Sequence, residues 1–116
     1  MIIWEEGARQ MTVKESLQEL VERMQANPEP IRPLHYVYQF DLDENEPFQV
    51  RFDSGTVEVL EGTPHPADCT LKLSASNFVK LLRNDLNTTM AFMLGSLKVD
   101  GRVGLALKLQ EILKAY

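Results

Sequence analysis

Residues 86–113, LNTTMAFMLGSLKVDGRVGLALKLQEIL, constrain this chain more than any other stretch. They carry apolar residues on more faces than the closing segment of a small core needs. Met90, Ala91, Phe92, Met93 and Leu94 are consecutive, so on a helix they point all round its axis. Gly95 suits the left-handed position that ends a helix. Residues 96–100 then alternate as a strand with Leu97 and Val99 inward, Gly101 turns the chain, and residues 102–116 return to helical spacing. At about 100° per residue, Leu105, Ala106, Leu109, Ile112 and Leu113 share one stripe, while Val103 and Leu107 fall outside it. A helix with apolar groups on more than one side is flanked by other elements, or it faces a ligand or a partner. Methionine beside phenylalanine suits a pocket of variable shape, because the thioether chain is unbranched and polarizable.

The remainder of the chain supplies a sheet for that segment to cover. Thr12-Val13-Lys14-Glu15 has capping-box form, and Val13, Leu17, Leu20, Val21 and Met24 continue it as one helical face. Asn27-Pro28 ends this helix, and Pro28, Pro30 and Pro33 predict an extended connector. Four alternating stretches follow. The first, 35–42, places Tyr36, Tyr38, Phe40 and Leu42 on one face. The second places Phe48, Val50 and Phe52 together, and the third Val57 and Val59. Strands joined by turns as short as Asp53-Ser54-Gly55 pair only as antiparallel hairpins. The fourth, 68–73, carries Cys69, Leu71 and Leu73. Ser74 or Ser76 then caps a helix with Phe78, Val79, Leu81 and Leu82, and Asn87 or Thr88 caps the next. The order helix, four strands, two helices, strand, helix predicts an α+β fold, an antiparallel sheet with helices packed on one face. Met1–Gln10 fits no pattern, although Ile2, Ile3 and Trp4 could cover apolar surface. Residues 1–11 are therefore set apart as an N-terminal extension to a single domain over 12–116.

Charge and motif content exclude several functions. A net charge of −5 argues against a nucleic-acid partner, which needs a clustered basic surface. The N-terminus lacks the pattern of a signal peptide, and one cysteine, Cys69, cannot form an internal disulfide, so the expected location is the cytoplasm. Asp41-Leu42-Asp43-Glu44-Asn45 resembles a calcium loop only until its sixth and twelfth places, which hold Glu46 and Phe52 in place of glycine and glutamate. His35 and His65 have no ligand spacing, and no base is spaced to activate Cys69. No metal, cofactor or catalytic residue is expected, which leaves binding. Lys98, Arg102, Lys108 and Lys114 give the last segment a mild basic bias that admits transient contact with an anionic membrane.

From Ala67 onward the chain resembles the sterol carrier protein type-2 domain family. Ala67-Asp68-Cys69-Thr70-Leu71 with Ser74 and Phe78 is similar to that family's strand-to-helix entry. The run Met90 to Gly101, MAFMLGSLKVDG, is similar to its apolar helix, glycine, Leu-Lys-Val strand and second glycine. Leu105, Leu109 and Leu113 match its final helix. The resemblance extends over about residues 12–116, less specifically in the N-terminal half, and a chain of this size suits a small stand-alone, bacterial member, for which sterol is not the expected ligand. It implies a five-stranded, mostly antiparallel sheet covered on one side by helices around a hydrophobic tunnel. It also implies non-catalytic binding, and transfer, of a fatty acid, sterol-like molecule or other lipid.

The ligand-binding residues expected on that basis are Tyr38, Phe40, Val50, Phe52, Phe78, Leu82, Met90, Phe92, Met93, Leu97, Leu105, Leu109 and Leu113. A ligand burying about 300 Å² of apolar surface would gain on the order of 7 kcal/mol before ordering costs. Asp85-Leu86 stands where the family commonly has glycine and lysine. An acid at the cavity rim would disfavour anionic head groups and weighs against acyl-CoA. The competing reading is an interaction module, a homodimer included, that uses the apolar face of the last helix.

Overall fold

The computed structural model describes residues 12–43 and 46–116. The expectations placed on Met1–Gln10, and Glu44 and Asn45 of the first hairpin turn, lie outside these residues. Helix α1 spans Val13–Ala26 and opens with the reciprocal capping box. The Thr12 hydroxyl accepts from the Glu15 amide at 3.0 Å, and the Glu15 carboxylate accepts from the Thr12 amide at 3.0 Å. Its Leu17, Leu20, Val21 and Met24 are buried. The proline segment is not wholly extended as expected. Glu29–Ile31 forms a 3-10 turn, because the fixed φ of Pro30 suits the start of a helical turn, where its missing N–H is not required. The turn carries Ile31 into full burial.

Strands β1 (His35–Leu42), β2 (Phe48–Asp53) and β3 (Thr56–Glu61) form the expected antiparallel hairpins. Strand β4 (Cys69–Leu73) does not hairpin onto β3. It crosses to the other side of β1 and pairs with it in parallel, and β5 (Leu97–Gly101) then pairs antiparallel with β4. The sheet order is β3-β2-β1-β4-β5. The crossover places β1 at the centre, and that suits its sequence: Tyr38, Phe40 and Leu42 are all buried on the inner face.

The register aligns the apolar side chains strand by strand. Tyr38 lies opposite Val50 and Cys69, Phe40 opposite Phe48 and Leu71, and Leu42 opposite Leu73. A slip of one residue would turn this whole set outward. On the outer face Gln49 is fully buried, which alternation alone does not predict. Its amide donates to the His65 carbonyl at 2.8 Å and to Gln39 at 3.0 Å, and its oxygen accepts from the His65 amide at 3.2 Å. The side-chain amide thereby straps the loop 62–66 over the sheet at no cost in unpaired polar groups.

Helices α2 (Ala75–Leu82), α3 (Thr88–Leu94) and α4 (Gly104–Leu113) complete the cover. Ser74 caps α2 and Asn87 caps α3 through their side-chain oxygens. Gly95 ends α3 at φ +82°. Two contacts anchor α4. The Tyr38 hydroxyl, fully buried, donates to the Leu105 carbonyl at 2.9 Å, and the Tyr116 hydroxyl donates to the Asn27 carbonyl at 2.6 Å. Asp68 sets where α4 begins. Its carboxylate accepts from the Val37 amide at 2.8 Å and its carbonyl from the Arg102 amide at 3.0 Å.

Two tests follow from this packing. Gly101 holds φ +87°, and a Cβ there would stand 2.8 Å from the Asp68 carbonyl oxygen. Gly101→Ala is expected to cost about 2 kcal/mol, lowering the thermal midpoint by roughly 10 °C; an unchanged midpoint would contradict the corner described here. Burial, and then the neighbouring Asp68, push the Cys69 thiol up from about 9 to about 11, and burial likewise raises Tyr38. Both groups favour the folded state in their neutral forms. The contribution of Cys69 is complete below about pH 9 and is lost as pH rises through about 11, and that of Tyr38 is lost at higher pH still. Urea unfolding at about pH 10.5 should therefore show lower stability than at about pH 8, and Cys69→Ala should flatten part of that decline.

Candidate functional site

The apolar residues predicted to form one site occupy two places. Under the sheet, Tyr38, Phe40, Val50, Phe52, Phe78, Leu82, Leu109 and Leu113 surround an interior cavity together with Leu17, Leu20, Val21, Met24 and Val57. Its aromatic rings interlock. Phe78 meets Phe40 edge-on at 5.0 Å and Phe48 at 5.5 Å, and Tyr38 meets Phe52 at 5.9 Å. The void among them measures only about 20 Å³, the scale of a single water. This is a packed core.

The second place is a groove bounded by α3, β5 and α4, open to solvent, with a volume of about 220 Å³. Phe92 and Leu97 of the expected set line it. Its other walls are Thr88, Thr89, Val99, Val103, Ala106 and Leu107. None of these six was among the expected ligand-binding residues, although Val103 and Leu107 signalled the groove by falling outside the stripe of their helix. The Thr88 amide donates to the Gln110 side chain at 2.9 Å, which ties the α3 wall to the α4 wall.

Three expectations need correcting. Met90 and Met93 line neither cavity; they are 54% and 76% exposed. The reason is the length of α3. Seven residues with apolar groups all round can bury one side only, and that side is Thr88 and Ala91. Leu105 is buried but lines neither space; its carbonyl receives the Tyr38 hydroxyl. Asp85 is exposed on the loop between α2 and α3, where its amide donates to the Lys80 carbonyl at 2.8 Å. It borders neither space, so it is not placed to select a head group at a rim.

One polar cluster was not legible in the sequence. The β1–β2 register puts His35 opposite Asp53, and Ser54 follows at the turn. The His35 Nδ1 lies 3.3 Å from the Asp53 carboxylate and 3.5 Å from the Ser54 hydroxyl. Both partners share one ring nitrogen. A proton relay needs the carboxylate on one nitrogen and the hydroxyl on the other, so this exposed trio is a turn-stabilising network. Among the described residues no group of three or more His, Cys, Asp or Glu side chains is arranged to hold a metal ion. No helix among them is long and apolar enough to cross a membrane.

Comparison with known proteins agrees with this architecture. The model of the SCP-2 sterol transfer family matches residues 17–114. Hydroxysteroid dehydrogenase-like protein 2 of Xenopus tropicalis is 36% identical over 90 residues, covering 75% of this chain and 22% of that protein. Sterol carrier protein 2 of Homo sapiens is 39% identical over 59 residues, 51% of this chain and 11% of the other. The chain thus matches about a fifth or less of the length of these curated relatives. Among solved structures, the sterol carrier protein domain 2 of Helicoverpa armigera aligns with TM-score 0.71 and 25% identity, over 84% of this chain and 82% of its own. Sterol carrier protein 2 of Aedes aegypti, solved with palmitate, aligns with TM-score 0.70 and 17% identity over 90% and 96%. The five-stranded mixed sheet, the helices on one face and the match over most of its length show that this chain belongs to the SCP-2 sterol transfer family.

Proposed function

We propose that this chain binds one hydrophobic molecule of the fatty-acid or related lipid class in the α3–β5–α4 groove and carries it unchanged. The observation that carries this reading is the contrast between the two spaces. The groove exists ready-made, with almost wholly apolar walls, whereas the core holds a void of about 20 Å³. At about 220 Å³ the groove falls short of the ~300 Å³ and more of typical small-molecule pockets, so it suits a single flexible chain laid along it better than a rigid ring system. The palmitate complex of a protein with this fold supports the ligand class. The reading is of binding without catalysis, supported by the family match over residues 17–114; the dehydrogenase-like relatives match this chain over only about a fifth of their own length. A cytoplasmic location belongs to the same proposal, supported by the single, buried, unpaired thiol of Cys69.

Titration with a fluorescent fatty acid tests the site. Phe92 and Leu107 are about half exposed, so Phe92→Ala and Leu107→Ala should leave the thermal midpoint nearly unchanged. Each removes about 1–2 kcal/mol of chain contact, and each should weaken uptake roughly tenfold. Uptake unaffected by both, but altered by Leu109→Ala under the sheet, would move the ligand into the core.

A further inference from the structure

We propose that the segment preceding α1 docks its Ile2, Ile3 and Trp4 in a second apolar cleft, at the β3 edge of the sheet. The cover over the sheet runs out there. The inner side chains of β3 are Val57, Val59 and Glu61. Val57 is buried against the core with Leu17, whereas Val59 is 42% exposed and Glu61 is exposed. Helix α1 packs over β3, and its first turns border the gap. Val13, Lys14 and Leu17 line one cleft with Phe48, Val59 and Glu61, and Glu46 and Pro47 complete it. Its volume is about 430 Å³. A scattered apolar residue on a surface needs no explanation, but a cleft floored by Val13, Phe48 and Val59 at the end of a helical cover does.

The chain itself supplies the occupant. The cleft lies where α1 begins, so the residues before Thr12 start at its border. Extended, the chain from Trp4 to Thr12 reaches about 26 Å, enough to double back along the cleft. Ile2, Ile3 and Trp4 are consecutive large apolar residues in a segment whose remainder is mostly polar or small. Charge agrees with this occupant. Lys14, Glu46 and Glu61 enter no ion pair among the described residues, and the segment brings both signs to them, Glu5 and Glu6 with Arg9. The two carboxylates of the cleft disfavour an anionic lipid. A short tether also holds the segment at an effective concentration on the order of millimolar, which a second copy in dilute solution does not match. The proposal is independent of the ligand reading, because the cleft shares no residue with the α3–β5–α4 groove.

Trp4 is the single tryptophan of the chain, so its fluorescence reports on the segment directly. In the full-length protein its emission should lie to the blue of that in the urea-unfolded chain, and acrylamide should quench it severalfold less. Val59→Asp in the cleft should abolish both differences. So should Ile2→Asp/Ile3→Asp, which alters the segment and leaves residues 12–116 untouched, so the test stands even where Val59→Asp disturbs the sheet. Nuclear Overhauser effects should connect the Trp4 indole with the methyl groups of Val13 and Val59. A Trp4 quenched as readily as in the unfolded chain would overturn the proposal, as would a shielded Trp4 indifferent to both variants. Indole contacts that arise only between differently labelled chains in a mixture would give the cleft to a second copy. Contacts to Val59 from an added fatty acid, with none from Trp4, would give it to the ligand. Either result would overturn the proposal.

Discussion

The hydroxyl of Tyr38 donating to the carbonyl of Leu105 is the interaction on which the rest of the arrangement depends. Tyr38 sits at the middle of the central strand, fully buried, with a partner strand on each side. Its phenol reaches across the core to the first turn of α4. Burial raises its pKa, so the group stays a neutral donor across the ordinary pH range. Such a bond is worth only about 1 kcal/mol net, but losing it would leave a buried hydroxyl unpaired, which costs more. It therefore specifies position more than it adds stability. With Asp68 holding the Arg102 amide and Gly101 giving the close approach, it fixes the start of α4 against the sheet. Both the packed interior and the outer groove follow from where that helix lies.

The wall opposite α4 is held differently. Helix α3 buries only Thr88 and Ala91. What fixes it is polar: the Asn87 cap on the Met90 amide, the Gln110 side chain on the Thr88 amide, and the Ala91 carbonyl receiving both the Ser96 amide and its hydroxyl. A short helix with little buried apolar area and a few tethers belongs to the low-stability end of a fold, where local opening is cheap. Helix α3 carries none of the interlocked rings of the aromatic core, because Phe40, Phe48, Phe52 and Phe78 lie on other elements.

Much of this was legible in the sequence because its signals are local. The Thr12–Glu15 box, the Asn27-Pro28 stop, Gly95 and the alternating strands each depend on residues a few positions apart. The parallel pairing of β4 with β1 was not legible, since nothing in either strand names a partner some thirty residues away. The division of the candidate site was hidden for a related reason. An all-apolar run such as residues 90–94 declares a surplus of apolar faces but not which of them finds a wall. The structure gives Phe92 to the groove and leaves Met90 and Met93 in solvent. Similarly, Tyr38 and Phe40 read as cavity residues and as core residues from the same alternation, and only packing density separates the two.

The proposed ligand site lies between α3, β5 and α4 and not within the core. Intermolecular nuclear Overhauser effects between a bound fatty acid and methyl-labelled protein test it most directly. A ligand in the groove gives contacts from the acyl chain to the methyl groups of Leu97, Val99, Val103 and Leu107, with those of Leu17, Val50 and Val57 silent. Contacts to Leu17, Val50 and Val57, with the groove methyls silent, would contradict it.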